Sequence, residues 1–581
     1  MESKLVRAAM GEAPFDLAVR NVRLVNVFTQ EIYPADIGVV GDTIAFAGSM
    51  PPERTEARTV DAGGLFAVPG FIDSHMHIES SMMTPAAFAE AVVPLGTTTV
   101  AADPHEIANV LGAEGVRMLC DMSRNLPLQV HVMAPSTVPS APGYETSGAD
   151  IGPAQVKEML DYPGVLGLGE VMDFLGVIGC DERMLGIIAE AKSRGVLLDG
   201  HVPTLRGREL QAFISTGIDC DHTYMSPDII QEKLRCGMCV QIQERFFTPE
   251  LMAYLNACPV QNRIMLATDD VPITRLAARG HLDGLLRRAV ALGLEPLKAV
   301  RYVTINAADR LRLYRQGAIS PGRRADLLLL SSLEEVAVEQ VYTGGRLVAE
   351  AGRMLKPLPI PKFPRSAYDT MRLSPLGPED FAIPCGGKRA LVNAIRQDSK
   401  TSRTGLSQKW CEVRGGLLRQ GSLVKMAVFE RHSGAAGRSL GLLDNLEEFR
   451  GAMAATYGHD CHNLTVYSRS DGDAVLAANT VIAMGGGVSA VLDGEVLCAI
   501  PLPIAGILCE DRLEELADKF AALEEAARRM RLNHEEVLTF LTLMPLAVSP
   551  EVKLTDRGIL DVASKRFLPL TAEIREGEGK E

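Results

Sequence analysis

The chain has 581 residues, more than one hydrophobic core organises, so two or three domains are expected. Its hydrophobic and charged fractions, 47% and 23%, are those of a soluble globular enzyme. A net charge of −14 argues against nucleic acid or an anionic membrane as the main partner, because both require a basic surface; a neutral small molecule fits.

The opening MESKLVRAAMGEAPFD has no apolar stretch of the kind that directs secretion. Residues 15 to 66 then read as short strands: DLAVRNVRLVNV alternates, GDTIAFAG follows, and turn residues separate them. From 67 to 314 the pattern changes to short apolar runs alternating with longer helical ones, the rhythm of repeated βα units. Eight candidate strands can be counted: AVPGFIDSH, TTTVAAD, LQVHVMA, VLGLGE, VLLDGH, GIDCDH, MCVQIQ and IMLATD. Eight such units in about 250 residues predict a (β/α)8, TIM-like barrel, whose catalytic face lies where the strands run out.

After the barrel, residues 315 to 355 (GAISPGRRADLLLL and VEQVYTGGRLV) read again as strands, expected to join residues 1 to 66 in one composite β-sandwich domain. Residues 356 to 384 carry seven prolines and read as a linker. Residues 385 to 581 form an additional α+β C-terminal domain with an amphipathic helix over Glu510–Leu532, in which Leu513, Leu516, Phe520, Leu523 and Met530 share a core-facing side. The apolar run Ala499–Leu508 is short and holds two prolines, so no membrane span is expected. Eleven scattered cysteines fit reduced thiols in a cytoplasmic protein, and the isolated pair Cys236 and Cys239 is not expected to bind metal.

The chemistry lies at the predicted strand ends. His75 and His77 are two residues apart, so on a strand both imidazoles face the same side and reach one ion. Alone the pair could be two ordinary histidines. Glu170, His201, His222 and Asp269 fall at other strand ends of the same barrel, and imidazole with carboxylate suits zinc, iron or manganese. One or two divalent ions would activate a water, and Asp269 would take its proton and later deliver it to a leaving group. Hydrolysis at an electrophilic carbon is the reaction class this predicts.

The runs GFIDSHMHIESSMMTPAAF, AADPHEIANVLG, GLGEVMDF, DGHVP and LATDD, with GHDCHN and PLPIAG near the end, resemble the adenine deaminase family of the amidohydrolase superfamily over nearly the whole chain. The resemblance implies conversion of adenine and water to hypoxanthine and ammonia, in purine salvage. It implies a binuclear manganese or iron centre, with zinc possible: His75, His77 and Asp269 on one metal, His201 and His222 on the other, and Glu170 bridging. A homo-oligomer, a dimer, is expected.

Further residues are candidates. His105 and Glu106, just past the second strand, either contact substrate and shuttle a proton or hold the loop. Asp270 and Glu79 are candidate substrate contacts, or orient a ligand and cap a loop. His459 and His462 read most simply as a surface loop; the alternative is that the C-terminal domain leans over the barrel mouth and brings one of them to substrate or to an extra ion. Gly485 to Gly487 lack the phosphate-loop pattern and read as a turn. The sequence departs from the family at Thr223, which stands directly after His222 where a glutamate is expected. A hydroxyl cannot do that residue's acid–base work, and Asp221 should face the other way. The alternatives left open are a related purine or other cyclic amidine or amide as substrate, or a weakly catalytic nucleobase-binding protein.

Overall fold

The structure is a computed structural model that describes residues 2–51, 56–401, 403–435 and 437–577. One nine-stranded sheet draws on both flanks of the barrel. Strands Leu17–Asn26, Glu31–Val40, Thr43–Gly48, Thr59–Asp61 and Phe66–Pro69 come from the N-terminal side, and Leu327–Ser332, Ala337–Thr343, Arg346–Glu350 and Arg353–Met354 from the other. The seam is an antiparallel pairing of Phe66–Pro69 with Leu327–Leu330. Val19, Leu24, Ile37 and Val39 share one apolar core there with Leu327, Leu329 and Tyr342, which no single flank would bury alone.

The run Ala67–His75, expected as one strand, is two. Ala67 to Pro69 belong to the flanking sheet, and the barrel starts after Gly70. A side chain at Gly70 would lie 2.2 Å from Thr98 Oγ1, so only glycine lets the chain pass between the two sheets here.

The barrel strands are β1 (Phe71–His77), β2 (Thr97–Ala102), β3 (Gln129–Ala134), β4 (Val165–Val171), β5 (Leu197–Gly200), β6 (Cys220–Asp221), β7 (Cys239–Ile242) and β8, which runs as Ile264–Leu266 and resumes at Asp269–Asp270. All neighbours are parallel. The first part of β8 pairs with β7 and the second with β1, closing the ring. Ile72, Ala101, Met133, Leu166, Leu197, Cys220, Cys239 and Met265, one from each strand, pack together inside the barrel. Ala307, Ala308 and Leu311 seal the end away from the histidines. The interior is therefore a plugged core, and the polar residues are left to one mouth.

Residues 357–388 contain two single-turn helices, Arg365–Tyr368 and Pro378–Phe381, and are pinned to the barrel and the last domain: Leu358 N–H donates to Glu90 at 2.7 Å and the Tyr368 hydroxyl donates to Glu510. The C-terminal domain is a ten-stranded sheet with helices Asp471–Ala483, Leu513–Arg529 and Val537–Leu543, plus a three-stranded sheet from Val552 to Leu568. The amphipathic helix spans Leu513–Arg529, shorter than expected: the extended Arg512 is its N-cap, with Arg512 N–H donating to the Glu515 carboxylate at 3.3 Å, and Met530 is its C-cap. Leu516, Phe520 and Leu523 are buried on its inner face. Among the described residues no helix is long and apolar enough to cross a membrane.

Candidate metal centre and active site

Both β1 histidines turn into the mouth. His77 Nδ1 lies 2.8 Å from the Asp103 carbonyl, which can only accept, so Nδ1 carries the proton and Nε2 is left with a free lone pair. That Nε2 is 3.2 Å from Asp269 Oδ1 and 3.5 Å from Glu170 Oε1. His75 Nε2 is 3.6 Å from the same Asp269 oxygen. Glu170, at the end of β4, turns its other oxygen toward His201 Nδ1 at 2.7 Å and His222 Nε2 at 3.1 Å. The rings of His75 and His222 are stacked with centroids 3.8 Å apart.

Local structure aims these groups. Asp269 has φ +59°, a left-handed conformation that costs a non-glycine residue roughly 1–3 kcal/mol, at the point where β8 resumes and crosses to β1. Gly169 precedes Glu170, and a side chain on it would lie 2.0 Å from Asp103 Oδ2. Its absence lets that oxygen accept the Glu170 N–H at 2.8 Å. Ser136 donates to the Glu170 carbonyl at 2.6 Å, and Gln243 donates to the His222 carbonyl at 2.8 Å.

Burial disfavours the charged form of both carboxylates. For Glu170 the neighbouring His222 and His201 outweigh it and hold the group well below its usual range; for Asp269, His75 and His77 do the same. His75 Nε2 and His222 Nδ1 are buried with no hydrogen-bond partner. Lone pairs of imidazole converging on two ionised carboxylates, out of water, fit a cation and little else. His75, His77 and Glu170, His75, His222 and Asp269, and Glu170, His201 and His222 each bring ligand atoms within 4.8 Å of one another. Imidazole and carboxylate donors suit a divalent metal.

Two family models match the sequence: the amidohydrolase family over residues 66–348 and the adenine deaminase C-terminal domain over 403–566. The adenine deaminase of Klebsiella pneumoniae (strain 342) is 39% identical over 98% of this chain and 96% of its own length. Adenine deaminase 2 of Rhizobium meliloti (strain 1021) is 41% identical over 98% and 96%, and adenine deaminase 2 of Carboxydothermus hydrogenoformans 38% identical over 98% and 99%. The chain belongs to the adenine deaminase family. Its amidohydrolase barrel implies a divalent metal, and the cluster just described offers the ligands.

Within this adenine deaminase framework the remaining candidates take different places. Asp270 accepts from the Ser80 hydroxyl and lines a cavity of about 1110 Å³ that opens between the barrel mouth and the C-terminal helices. Glu79 is fully buried; its Oε1 accepts from Ile107 N–H at 3.4 Å, at the start of helix His105–Met122, and burial pushes its carboxyl up to about 7. His105 Nδ1 lies 3.5 Å from Glu170 Oε1. Glu106 sits between His459 and His462 of the C-terminal domain. The surface-loop reading of His459 and His462 is thus corrected: the loop is buried against the barrel, and His459 lines the cavity.

Thr223 is also buried, and its hydroxyl goes to Asp221 rather than to the cavity. Asp221 faces away from the metal cluster, as the strand alternation predicts, and pairs with buried Lys233 while accepting from Val202 N–H at 2.6 Å.

Four residues of the site escaped the sequence reading. Arg245, from the loop after β7, brings Nη2 within 3.2 Å of Asp269 Oδ2 at the cavity wall. Asp103 anchors β4 and His77 as described. Tyr457 lines the cavity, and Asp460 lies against His105 and His459. Asp103 closes a candidate strand and Asp460 lies within the GHDCHN run, so both left a visible signal; Arg245 and Tyr457 belong to no local pattern.

Proposed function

We propose that this protein hydrolyses adenine, adding water at the carbon that bears the exocyclic amine and releasing ammonia and hypoxanthine. The observation that carries the reading is the convergence of His75, His77, Glu170, His201, His222 and Asp269 at one barrel mouth, in a chain whose relatives over its full length are named adenine deaminases.

His75, His77 and Asp269 would hold one ion, His201 and His222 a second, and Glu170 would bridge. What supports the division is that the two Glu170 oxygens face different histidines, Oε1 toward His77 and Oε2 toward His201 and His222. Manganese or iron is proposed, and zinc suits the same donors. Such ions supply Lewis acidity, which lowers the pKa of water toward neutrality and offsets negative charge developing on oxygen.

The protein's own groups do the rest. Asp269 stays ionised between its histidines, so its carboxylate accepts the proton of the attacking water and returns it to the departing amine. Arg245, across Oδ2, keeps that carboxylate oriented. Asp270, tied to Ser80, and Tyr457 offer polar contacts to the purine from the cavity wall, while Phe520 and Leu523 cover it from the C-terminal domain. Glu79 acts by capping the helix behind the site, and His105 by packing its ring against His77, with ring centroids 4.6 Å apart. The eleven free cysteines support a cytoplasmic setting, and the acidic surface a soluble purine-salvage enzyme without nucleic-acid or membrane partners; a dimer is the proposed assembly.

The test is conversion of adenine to hypoxanthine, followed by ultraviolet absorbance with manganese- or iron-loaded protein. No turnover at full metal occupancy rejects the proposal. Turnover of another purine or cyclic amidine in a substrate panel would move the reading to that compound, and tight binding without turnover would make the protein a nucleobase-binding one.

A further inference from the structure

A second group of ligand-type side chains lies outside the six-residue cluster, where the barrel meets the C-terminal domain. His105 and Glu106 open helix His105–Met122, and His459 and Asp460 come from the loop after strand Ala452–Ala455. One ligand atom from each of the four lies within 4.8 Å of all the others.

The spacing distinguishes an ion from a hydrogen-bonded network. His105 Nε2 is 3.7 Å from Glu106 Oε1 and 4.0 Å from Asp460 Oδ1, and His459 Nδ1 is 3.5 Å from Asp460 Oδ1. Nitrogen and oxygen atoms joined by hydrogen bonds sit about 2.7–3.2 Å apart. Donors on a tetrahedral ion with bonds of about 2.0–2.2 Å sit about 3.3–3.6 Å apart, the edge of the tetrahedron, which is close to the 3.5 and 3.7 Å separations here. Only Glu106 and His459 approach more closely.

The charge points the same way. Glu106 and Asp460 are buried side by side, and Asp460 Oδ2 has no hydrogen-bond partner although its side chain is only 5% exposed. Glu79 and Glu145 are buried nearby. Among the described residues no lysine or arginine pairs with any of these four carboxylates, and the ion-pair partners of Glu106 and Asp460 are histidines alone. Arg431, buried against this loop from the segment after strand Val424–Phe429, gives its guanidinium to the carbonyls of His462, Thr370 and Ala505. Two buried carboxylates with only imidazoles beside them are costly unless those imidazoles take up protons, and a cation between the two relieves that cost.

The next shell is set as a ligand site requires. Gly458 N–H donates to His462 Nδ1 at 3.3 Å, which leaves the His462 proton on Nε2. That Nε2 faces Glu106 Oε2 at 2.5 Å, which leaves Oε1 toward His105 and His459. A neutral histidine orienting a ligating carboxylate is the usual support of a metal site.

We propose that His105, Glu106, His459 and Asp460 bind a further divalent transition-metal ion, distinct from the six-residue cluster, that fastens the C-terminal domain over the barrel mouth. The inference does not depend on the substrate. The site takes two ligands from each domain, so its ion holds the cavity roof in place.

Metal content decides it. Protein produced in manganese- or zinc-supplemented medium and passed into metal-free buffer is analysed by plasma mass spectrometry. Three ions per chain are expected in the wild type, and two in Asp460→Asn and in His459→Gln. Crystals of the same wild-type protein should give an anomalous peak between the four side chains, a result that needs no variant to fold. Two ions per chain with no such peak, or an unchanged count of three in both folded variants, overturns the proposal. A peak there with the six-residue cluster empty and no adenine turnover would uphold this site while rejecting the catalytic reading.

Discussion

Thr223 donates its hydroxyl to Asp221 Oδ2 at 2.8 Å, on the side of β6 turned away from the metal cluster. The side chain that follows His222 is therefore part of a buried support, shared with Lys233, and not of the cavity wall. Replacing it by glutamate puts a carboxylate beside Asp221 in a space without water. Thr223→Glu is expected to leave kcat/KM for adenine no higher than wild type and to lower stability by about 1–3 kcal/mol, read as a drop in Tm. A large gain in adenine turnover would show that the position limits the reaction after all.

Asp269 lies against both β1 histidines and is the assigned proton carrier. Asp269→Asn keeps the shape and removes the base. Turnover should fall by roughly 10²–10⁴-fold with little change in the circular dichroism spectrum. Full activity in this variant would remove Asp269 from the mechanism.

Arg245 reaches Asp269 Oδ2 from a side chain that is 57% exposed. Screening by solvent limits what it contributes, so Arg245→Ala should cost about three- to tenfold in kcat/KM. Steady-state kinetics showing either no change or complete inactivation would contradict a role in orienting the carboxylate.

His281 is buried beside Phe88, with the Thr97 hydroxyl 2.9 Å from Nδ1 and Asp73 3.5 Å from Nε2. Burial pushes its pKa down to about 3 from the usual 6.5. Protons then bind the unfolded chain more readily than the native one between these values, so the stability tied to this residue is complete above about pH 6.5 and is lost as pH falls toward 3. The unfolding free energy of wild type minus that of His281→Gln should fall by about 1.4 kcal/mol per pH unit across that window. A difference that stays flat in urea titrations from pH 7 to pH 4 would contradict a buried neutral imidazole.

Metal removal should destabilise as well as inactivate, because the cluster then retains buried carboxylates without a cation. Ligand at 100 times its dissociation constant stabilises by about 2.7 kcal/mol. Chelation should abolish adenine turnover and lower Tm, and titrating manganese back should restore both together. Identical Tm with and without metal would mean that the buried carboxylates need no cation.

Much of this molecule is legible in its sequence because the signals are local. His75 and His77 face one way because a strand repeats every two residues, and eight apolar runs ending in polar residues imply a barrel with a chemical mouth. The alternating runs at both flanks marked the two parts of the composite sheet. Where two signals run together, as at Gly70, the break is invisible: glycine is demanded there by Thr98, which is distant in sequence.

Strand periodicity in the sequence puts His75 and His77 on one side, and the apolar runs put Glu170, His201, His222 and Asp269 at strand ends. Tertiary structure decided the rest. Glu106 meets His459 and His462 across more than 350 residues, Arg245 meets Asp269 only because β7 and β8 are neighbours, and Thr223 turns to Asp221 because Lys233 and Val202 anchor that carboxylate behind the site. Such pairings depend on which surfaces exclude water together, and no periodicity along the chain records that.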